Sequence, residues 1–210
     1  MMKPETKRTL IKSLACGLIL TLLCGMFPFA ASCAEITQDV MRLHVIANSD
    51  SPEDQAVKLK VRDAVLKESE KWYRGAETME EANSLICTHL QSIREAAQRA
   101  LEENGSPDTA KAVVTEMYFT TRDYGEFSLP AGKYRTLRVT IGEGKGKNWW
   151  CIVFPSLCLP ASEGANGGSK DDLLAELPEN EREIIGNPGQ YQIKFKAVEW
   201  LEGLKSLFDR

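Results

Sequence analysis

A strand and a helix are predicted side by side near residue 40. Between residues 42 and 48 the side chains alternate in polarity, which predicts a strand with two unlike faces. One face carries Leu43, Val45 and Ala47, and the other carries Arg42, His44, Ile46 and Asn48. A helix should follow at once, because Ser51 and Pro52 are residue types preferred at a helix N-cap and at the first helical position. Its apolar stripe is Val57, Val61, Ala64, Val65 and Trp72.

A second helix is predicted from Thr78 to Gly105. Thr78 and Glu81 have the spacing of a capping box, in which each side chain bonds the other residue's backbone amide. Apolar residues recur at helical spacing from Ala82 to Leu101. His89 lies beside this stripe, and we interpret it as a residue at the edge of the core.

Strands return over residues 112–122, 133–142 and 149–155, where alternating or continuous apolar patterns replace the helical spacing. The segment "GEGKGKN", residues 142–148, is predicted to be a flexible hairpin loop between the last two. The C-terminal segment predicts an amphipathic helix with a stripe of Ala197, Trp200, Leu201, Leu204 and Phe208. The fold class is therefore α+β, a β-α-α-β-β-β core with a C-terminal amphipathic helix.

The N-terminal residues have the composition of a leader. Basic residues precede an uncharged run over residues 13–31, and small residues follow at signal-peptidase spacing, either Ala30 with Ser32 or Ser32 with Ala34. Residues 1–34 are thus predicted to be a signal peptide. The alternative is an N-terminal membrane anchor, because the uncharged run approaches the length of a membrane span. Three further divisions follow: an α+β domain (35–160), a Gly/Ser-rich linker (161–172), and a C-terminal helical segment packing on the core (173–210). The body of the protein is expected outside the cytoplasm.

That location favours disulfide formation. Cys151 and Cys158 are the natural pair, because a proline between them can turn the chain. Two buried thiols in an apolar strand are the alternative, and pairing of Cys87 with Cys33 stays open.

The net charge of the chain argues against nucleic-acid binding. A formal net charge of −4 over 210 residues is unlike the basic stripe of a nucleic-acid-binding protein. No nucleic acid, small-molecule substrate, metal or cofactor is predicted.

The stretch "RLHVIANSDSPEDQ" does not fit any of three kinds of site. A calcium loop starting at Asn48 would place Pro52 at a ligand position and Leu59 where a glutamate is needed. A phosphate loop needs glycines, and none lies between Arg42 and Tyr73. A serine nucleophile at Ser49 or Ser51 would need His44 as its base, but an extended strand carries the chain about 13 Å from His44 to Asn48. No catalytic residue is therefore predicted.

The sequence pattern gives no structural role to four polar residues of this stretch, which are Arg42, His44, Asn48 and Asp50. They are either solvated or part of a partner-binding surface, and we predict the surface.

Two long segments resemble a known family. "RLHVIANSDSPEDQAVKLKVRDAVL" and "LPAGKYRTLRVTIGEGKGKNWWCIVFPSLC" are similar to hallmark segments of the stage II sporulation protein R family of endospore-forming bacteria. The resemblance implies a protein secreted from the forespore into the intermembrane space. There it would activate a membrane-embedded aspartic protease of the mother cell to process the precursor of sigma-E. It implies no enzyme activity, whereas the alternatives are an extracytoplasmic cell-wall hydrolase and an envelope structural protein.

Overall fold

A four-stranded mixed sheet forms the centre of the fold in the computed structural model, which describes residues 4–124, 127–154, 174 and 177–208. The strands are β1 (Met41–Ile46), β2 (Ala110–Phe119), β3 (Arg122–Asp123), β4 (Ser128–Leu129), β5 (Gly132–Ile141) and β6 (Asn148–Phe154). The helices are α1 (Pro4–Asp39), α2 (Pro52–Tyr73), α3 (Met79–Thr88), α4 (Leu90–Glu103), α5 (Glu179–Gly186) and α6 (Pro188–Phe208). This arrangement confirms the α+β prediction.

The order of strands in the central sheet is β2-β5-β1-β6. β1 runs parallel to β5 and antiparallel to β6, so the two strands that are consecutive in sequence are separated by β1. The prediction of a hairpin at residues 142–148 is therefore wrong. This segment crosses over the carboxyl end of β1 instead.

One face of the sheet packs against α2, α3 and α4. Leu43, Val45, Leu137, Val139 and Val153 point to this side and are buried with apolar residues of the three helices. Alternation in β1 and the predicted stripe of α2 account for this core, because each places its apolar side chains on one face.

The opposite face is covered as well, by parts of the chain that are distant in sequence. The end of α1 contributes Phe29, Cys33 and Ile36 to a second core, together with Val40 directly after the helix and residues of α5 and α6. α1 approaches β5 so closely that a Cβ added to Gly132 would lie 2.6 Å from Thr37 Cγ2. The residues predicted as a leader thus continue, in one helix, into the packed interior.

Two helix predictions need correction. The second predicted helix is interrupted at His89, which is the C-cap of α3 and the residue before α4. His89 stacks on Trp72 with the ring centroids 3.5 Å apart, at the edge of the core. In α6 the core-facing residues are Phe195 and Val198, while Trp200 of the predicted stripe is exposed.

Other predictions fall outside the described residues. These include the linker at 161–172 and Cys158, so the Cys151–Cys158 bridge stays a prediction.

A buried carboxyl group joins α5 to the end of α1. Glu181 is 1% exposed and forms a side-chain hydrogen bond with Asp39. The pKa of Glu181 is raised to about 8, mainly by burial and in addition by the negative charges of Asp39 and Glu35. A carboxyl pair of this kind requires one proton to be retained.

Stability should therefore depend on the protonation of Glu181. Because the folded pKa is about 8 and the ordinary value is 4.5, the folded protein holds more protons between these values and loses stability as the pH rises through them. The slope is at most about 1.4 kcal/mol per pH unit. Glu181→Gln should flatten this slope and raise stability at the alkaline end, measured by denaturant unfolding in detergent across the range. Glu179→Gln, on the exposed side of α5, is the control, and an equal slope in wild type and Glu181→Gln would contradict the assignment.

Candidate functional site

The segment that crosses over β1 meets the residues that follow β1. We call residues 47–55 together with residues 142–147 the loop junction. Lys145 N donates to Asn48 O at 3.1 Å and Gly146 N donates to Ala47 O at 2.9 Å. The two segments that carry the family resemblance are therefore bonded to each other through their backbones.

Two of the predicted partner-binding residues hold the crossing segment with their side chains. Asn48 Oδ1 accepts a hydrogen bond from Glu143 N at 3.0 Å. Asp50 Oδ1 accepts one from Lys147 N at 2.7 Å. Asn48 is half-buried and Asp50 is exposed, so Asp50 has both a structural contact and access to a partner.

The start of α2 belongs to the same network. Ser51 Oγ accepts from Asp54 N at 3.1 Å, which confirms Ser51 as the N-cap. Asp54 Oδ2 accepts from Ser49 Oγ at 2.6 Å and from Asn48 Nδ2 at 3.1 Å. The hydroxyl of Ser49 thus donates to a carboxylate in the first turn of α2.

Lys58 of α2 is buried against the loop junction and is not among the residues predicted for the site. Its Nζ donates to Gln55 Oε1 at 2.6 Å and to Lys147 O at 3.2 Å. Burial lowers the pKa of Lys58, and the carboxylate of Asp50 opposes this shift. The sequence does indicate that Lys58 faces the core, because it has helical spacing to Val61 and Val65 in the apolar stripe.

Arg42 lies on the second face of the sheet and is 0% exposed. Its guanidinium is 3.9 Å from the ring centroid of Phe119 and 5.2 Å from that of Tyr134, and Nη2 donates to the Tyr124 hydroxyl at 2.5 Å. Nε and Nη1 have no hydrogen-bond partner among the described residues. Arg42 was predicted to bind a partner, and its side chain is enclosed here by the rings of Phe119, Tyr134 and Tyr124 and has no contact with solvent.

His44 is the next residue on that face and is 4% exposed. It stacks on its cross-strand neighbour Trp150, with ring centroids 3.5 Å apart, and Nε2 lies 2.8 Å from Asn148 Oδ1. Because that oxygen only accepts, Nε2 carries the proton of the neutral ring. Burial lowers the pKa of His44 to about 4, outweighing the opposing effect of Asn148.

The shifted pKa of His44 gives a prediction for stability in acid. Its folded value of about 4 lies below the ordinary 6.5, so the unfolded chain binds more protons between them and stability is lost as the pH falls through this window. His44→Gln keeps an amide donor near Asn148 and cannot titrate, so it should flatten the loss, as measured by denaturant unfolding at several pH values. His89→Gln removes the chain's other histidine as a control. If the loss of stability in acid disappears in His89→Gln but remains in His44→Gln, the prediction is contradicted.

The geometry favours a structural or recognition surface over a catalytic centre. Ser49 is bonded to Asp54, while His44 is bonded to Asn148 and stacked on Trp150. Within the described part of the chain, no group of three or more His, Cys, Asp or Glu side chains could hold a metal ion. The site is thus a tightly bonded pair of loops with exposed charged residues at its rim.

The comparisons with known proteins decide the family. Residues 37–163, which include both halves of the loop junction, match the family model described as stage II sporulation protein R. This chain belongs to the stage II sporulation protein R family. It is 32% identical over 187 residues to the stage II sporulation protein R of Bacillus subtilis (strain 168), covering 81% of this chain and 84% of that relative. No solved structure matches the chain.

Membership of the stage II sporulation protein R family gives the protein a role in sporulation. Both descriptions name a sporulation protein, and neither names a catalytic activity. The matched region begins at residue 37, near the end of α1, and so contains the sheet, α2–α4 and the loop junction. The region shared with the family is therefore the one that positions the candidate site.

Proposed function

We propose that this protein is a signalling protein of endospore formation that activates a membrane-embedded aspartic protease of the mother cell, which then processes the precursor of sigma-E. The observation that carries the proposal is the family match over residues 37–163. An activator shifts its target only if it binds the active state more tightly than the inactive one. A rigid surface suits that task, because little ordering entropy is lost on binding.

The N-terminal helix supports export from the forespore into the intermembrane space. Thr6–Asp39 has a mean hydropathy of 2.1 in its most apolar window and is long enough to cross a membrane. A signal sequence and a membrane anchor share these properties. On either reading the folded domain is delivered to the side of the membrane where the proposed protease is reached.

We place the activating surface at the rim of the loop junction. Asp50 is its exposed member of the predicted set, and Asn48 lies beside it. Arg42 and His44 are buried on the second face, so on this proposal they maintain the position of β1 and do not touch the protease.

Reconstitution of the precursor, the candidate protease and this protein tests the proposal. Processing should require the protein, and Asp50→Asn should lower it about tenfold or more, which corresponds to about 1.4 kcal/mol of lost contact energy. Asp50→Asn removes the charge but keeps an oxygen to accept from Lys147 N, so the loop should stay folded.

Two variants serve as controls. Ser51→Ala should cost about 1 kcal/mol of stability through the lost N-cap and leave processing near normal. Glu95→Gln removes an exposed acid on α4, away from the junction. Processing that proceeds equally well without the protein would refute the function. Processing that needs the protein but is unchanged by Asp50→Asn would refute only the surface, and hydrolysis of cell-wall material by the protein alone would favour the hydrolase.

A further inference from the structure

The last helix, α6, carries apolar side chains on two opposite sides. Phe195 and Val198 are 2% and 4% exposed and pack in the second core. Ile193 and Trp200 are 87% and 68% exposed. They are seven residues apart, which places them on one side of the helix. Exposure of two large apolar residues on one helical side indicates a surface that meets something other than water.

The position of α6 relative to α1 indicates what that surface meets. Phe29 of α1 packs against Tyr191 and Phe195 of α6, with ring centroids 5.4 Å apart in both pairs. Phe29 is near the end of the uncharged run at residues 13–31. α6 therefore meets α1 at the level where its uncharged stretch ends.

The uncharged stretch of α1 has little protein around it. Leu14 and Phe27 are largely exposed, and only 6% of the most apolar window is buried. A lipid bilayer is the environment in which such a helix loses its contact with water. The end of the stretch would then lie at the membrane–water boundary, and α6 would lie at that boundary with it.

The residue types on α6 fit the boundary. Tryptophan is enriched at membrane interfaces, where its ring can be half-immersed. Lys194 Nζ is 5.3 Å from the ring centroids of Phe29 and Tyr191, and the exposed Lys196 is also on this helix. Lysine stems extend along apolar surface while their ammonium groups reach the phosphates. An apolar side with neighbouring lysines is the pattern of a helix that lies in the interfacial plane.

We propose that α6 is a membrane-interface helix, with Ile193 and Trp200 inserted among the lipid headgroups and upper acyl chains of the bilayer that α1 enters. The folded domain is then held against the membrane at a second point, with the side of α6 opposite its core contacts facing the lipid. This contact is independent of the protease and of the loop junction.

Fluorescence quenching by brominated lipid tests the proposal on the full chain reconstituted into vesicles. The chain has four tryptophans, Trp72, Trp149, Trp150 and Trp200. Quenching by acyl chains brominated near the headgroup should be largely lost in Trp200→Phe. Trp72→Phe is the matched control, because Trp72 stacks on His89 at the edge of the first core, on the other face of the sheet from α6, and quenching of this variant should stay at the wild-type level.

Two outcomes would overturn the proposal. Equal quenching in wild type and Trp200→Phe would show that Trp200 is away from the lipid. A Trp200 emission that shifts with the protein-to-lipid ratio, with no quenching by bromine, would assign this side of α6 to a second copy of the chain. Circular dichroism of both variants checks that the fold is retained.

Discussion

Replacement of Gly146 by alanine is expected to destabilise the protein by about 3 kcal/mol and to abolish the proposed activation of processing. A Cβ at this position would lie 2.1 Å from the backbone oxygen of Ser49 and 2.9 Å from the Cβ of Ala47. A backbone atom cannot rotate away as the end of a side chain can. The crossing segment would therefore separate from the end of β1 and lose the hydrogen bond from Gly146 N to Ala47 O.

Gly189→Ala is the control for Gly146→Ala. Gly189 has nothing within 4 Å of an added Cβ and lies in the first turn of α6, so alanine should be neutral or raise stability by up to about 1 kcal/mol. Thermal melting and precursor processing are measured together. Equal melting temperatures for the two variants would show that the junction is looser than these distances imply.

The stability of the protein should depend on the volume of the side chain at position 42 more than on its positive charge. Arg42→Ala empties a fully buried site and is expected to cost about 3–5 kcal/mol, as other large-to-small changes in a core do. Arg42→Met fills most of the volume and removes a buried cation, two of whose nitrogens lack partners among the described residues. It should change stability by about 1 kcal/mol or less, because the cost of burying the charge offsets the lost contacts with Phe119 and Tyr124.

Chemical denaturation of the two Arg42 variants decides this point. If Arg42→Met is as unstable as Arg42→Ala, the site needs the positive charge itself. Processing by Arg42→Met also separates two roles. A residue that only fills the interior permits normal processing once the fold is stable, whereas a residue of the activating surface does not.

The local patterns predicted those parts of the fold that local physics decides. Alternation defined both faces of β1, and Ser51 and Pro52 marked the start of α2, because these features depend on neighbouring residues alone. What covers each face depends on distant segments. Arg42 was therefore expected at a surface, although Phe119, Tyr134 and Tyr124, which are distant in sequence, bury it.

Other errors have the same origin. A loop between consecutive strands favours a hairpin, and nothing within residues 142–148 reveals that β1 lies between β5 and β6. α6 carries apolar residues on two sides, so spacing alone did not identify Phe195 and Val198 as the core side. The sequence indicated that Asn48 and Asp50 do more than contact solvent. Their hydrogen bonds with Glu143 N and Lys147 N could not be predicted without the strand order of the sheet.

The continuity of α1 would place a timing constraint on removal of the predicted leader. Both predicted signal-peptidase sites, after Ser32 and after Ala34, lie within the helix, and Cys33 between them is buried in the second core. Proteases cut chain that is exposed and locally unfolded. On the proposed export route, cleavage at either position would have to precede docking of this helical end on the sheet. A chain that folded first would keep its leader attached, and a chain that was cut first would complete its second core without Phe29.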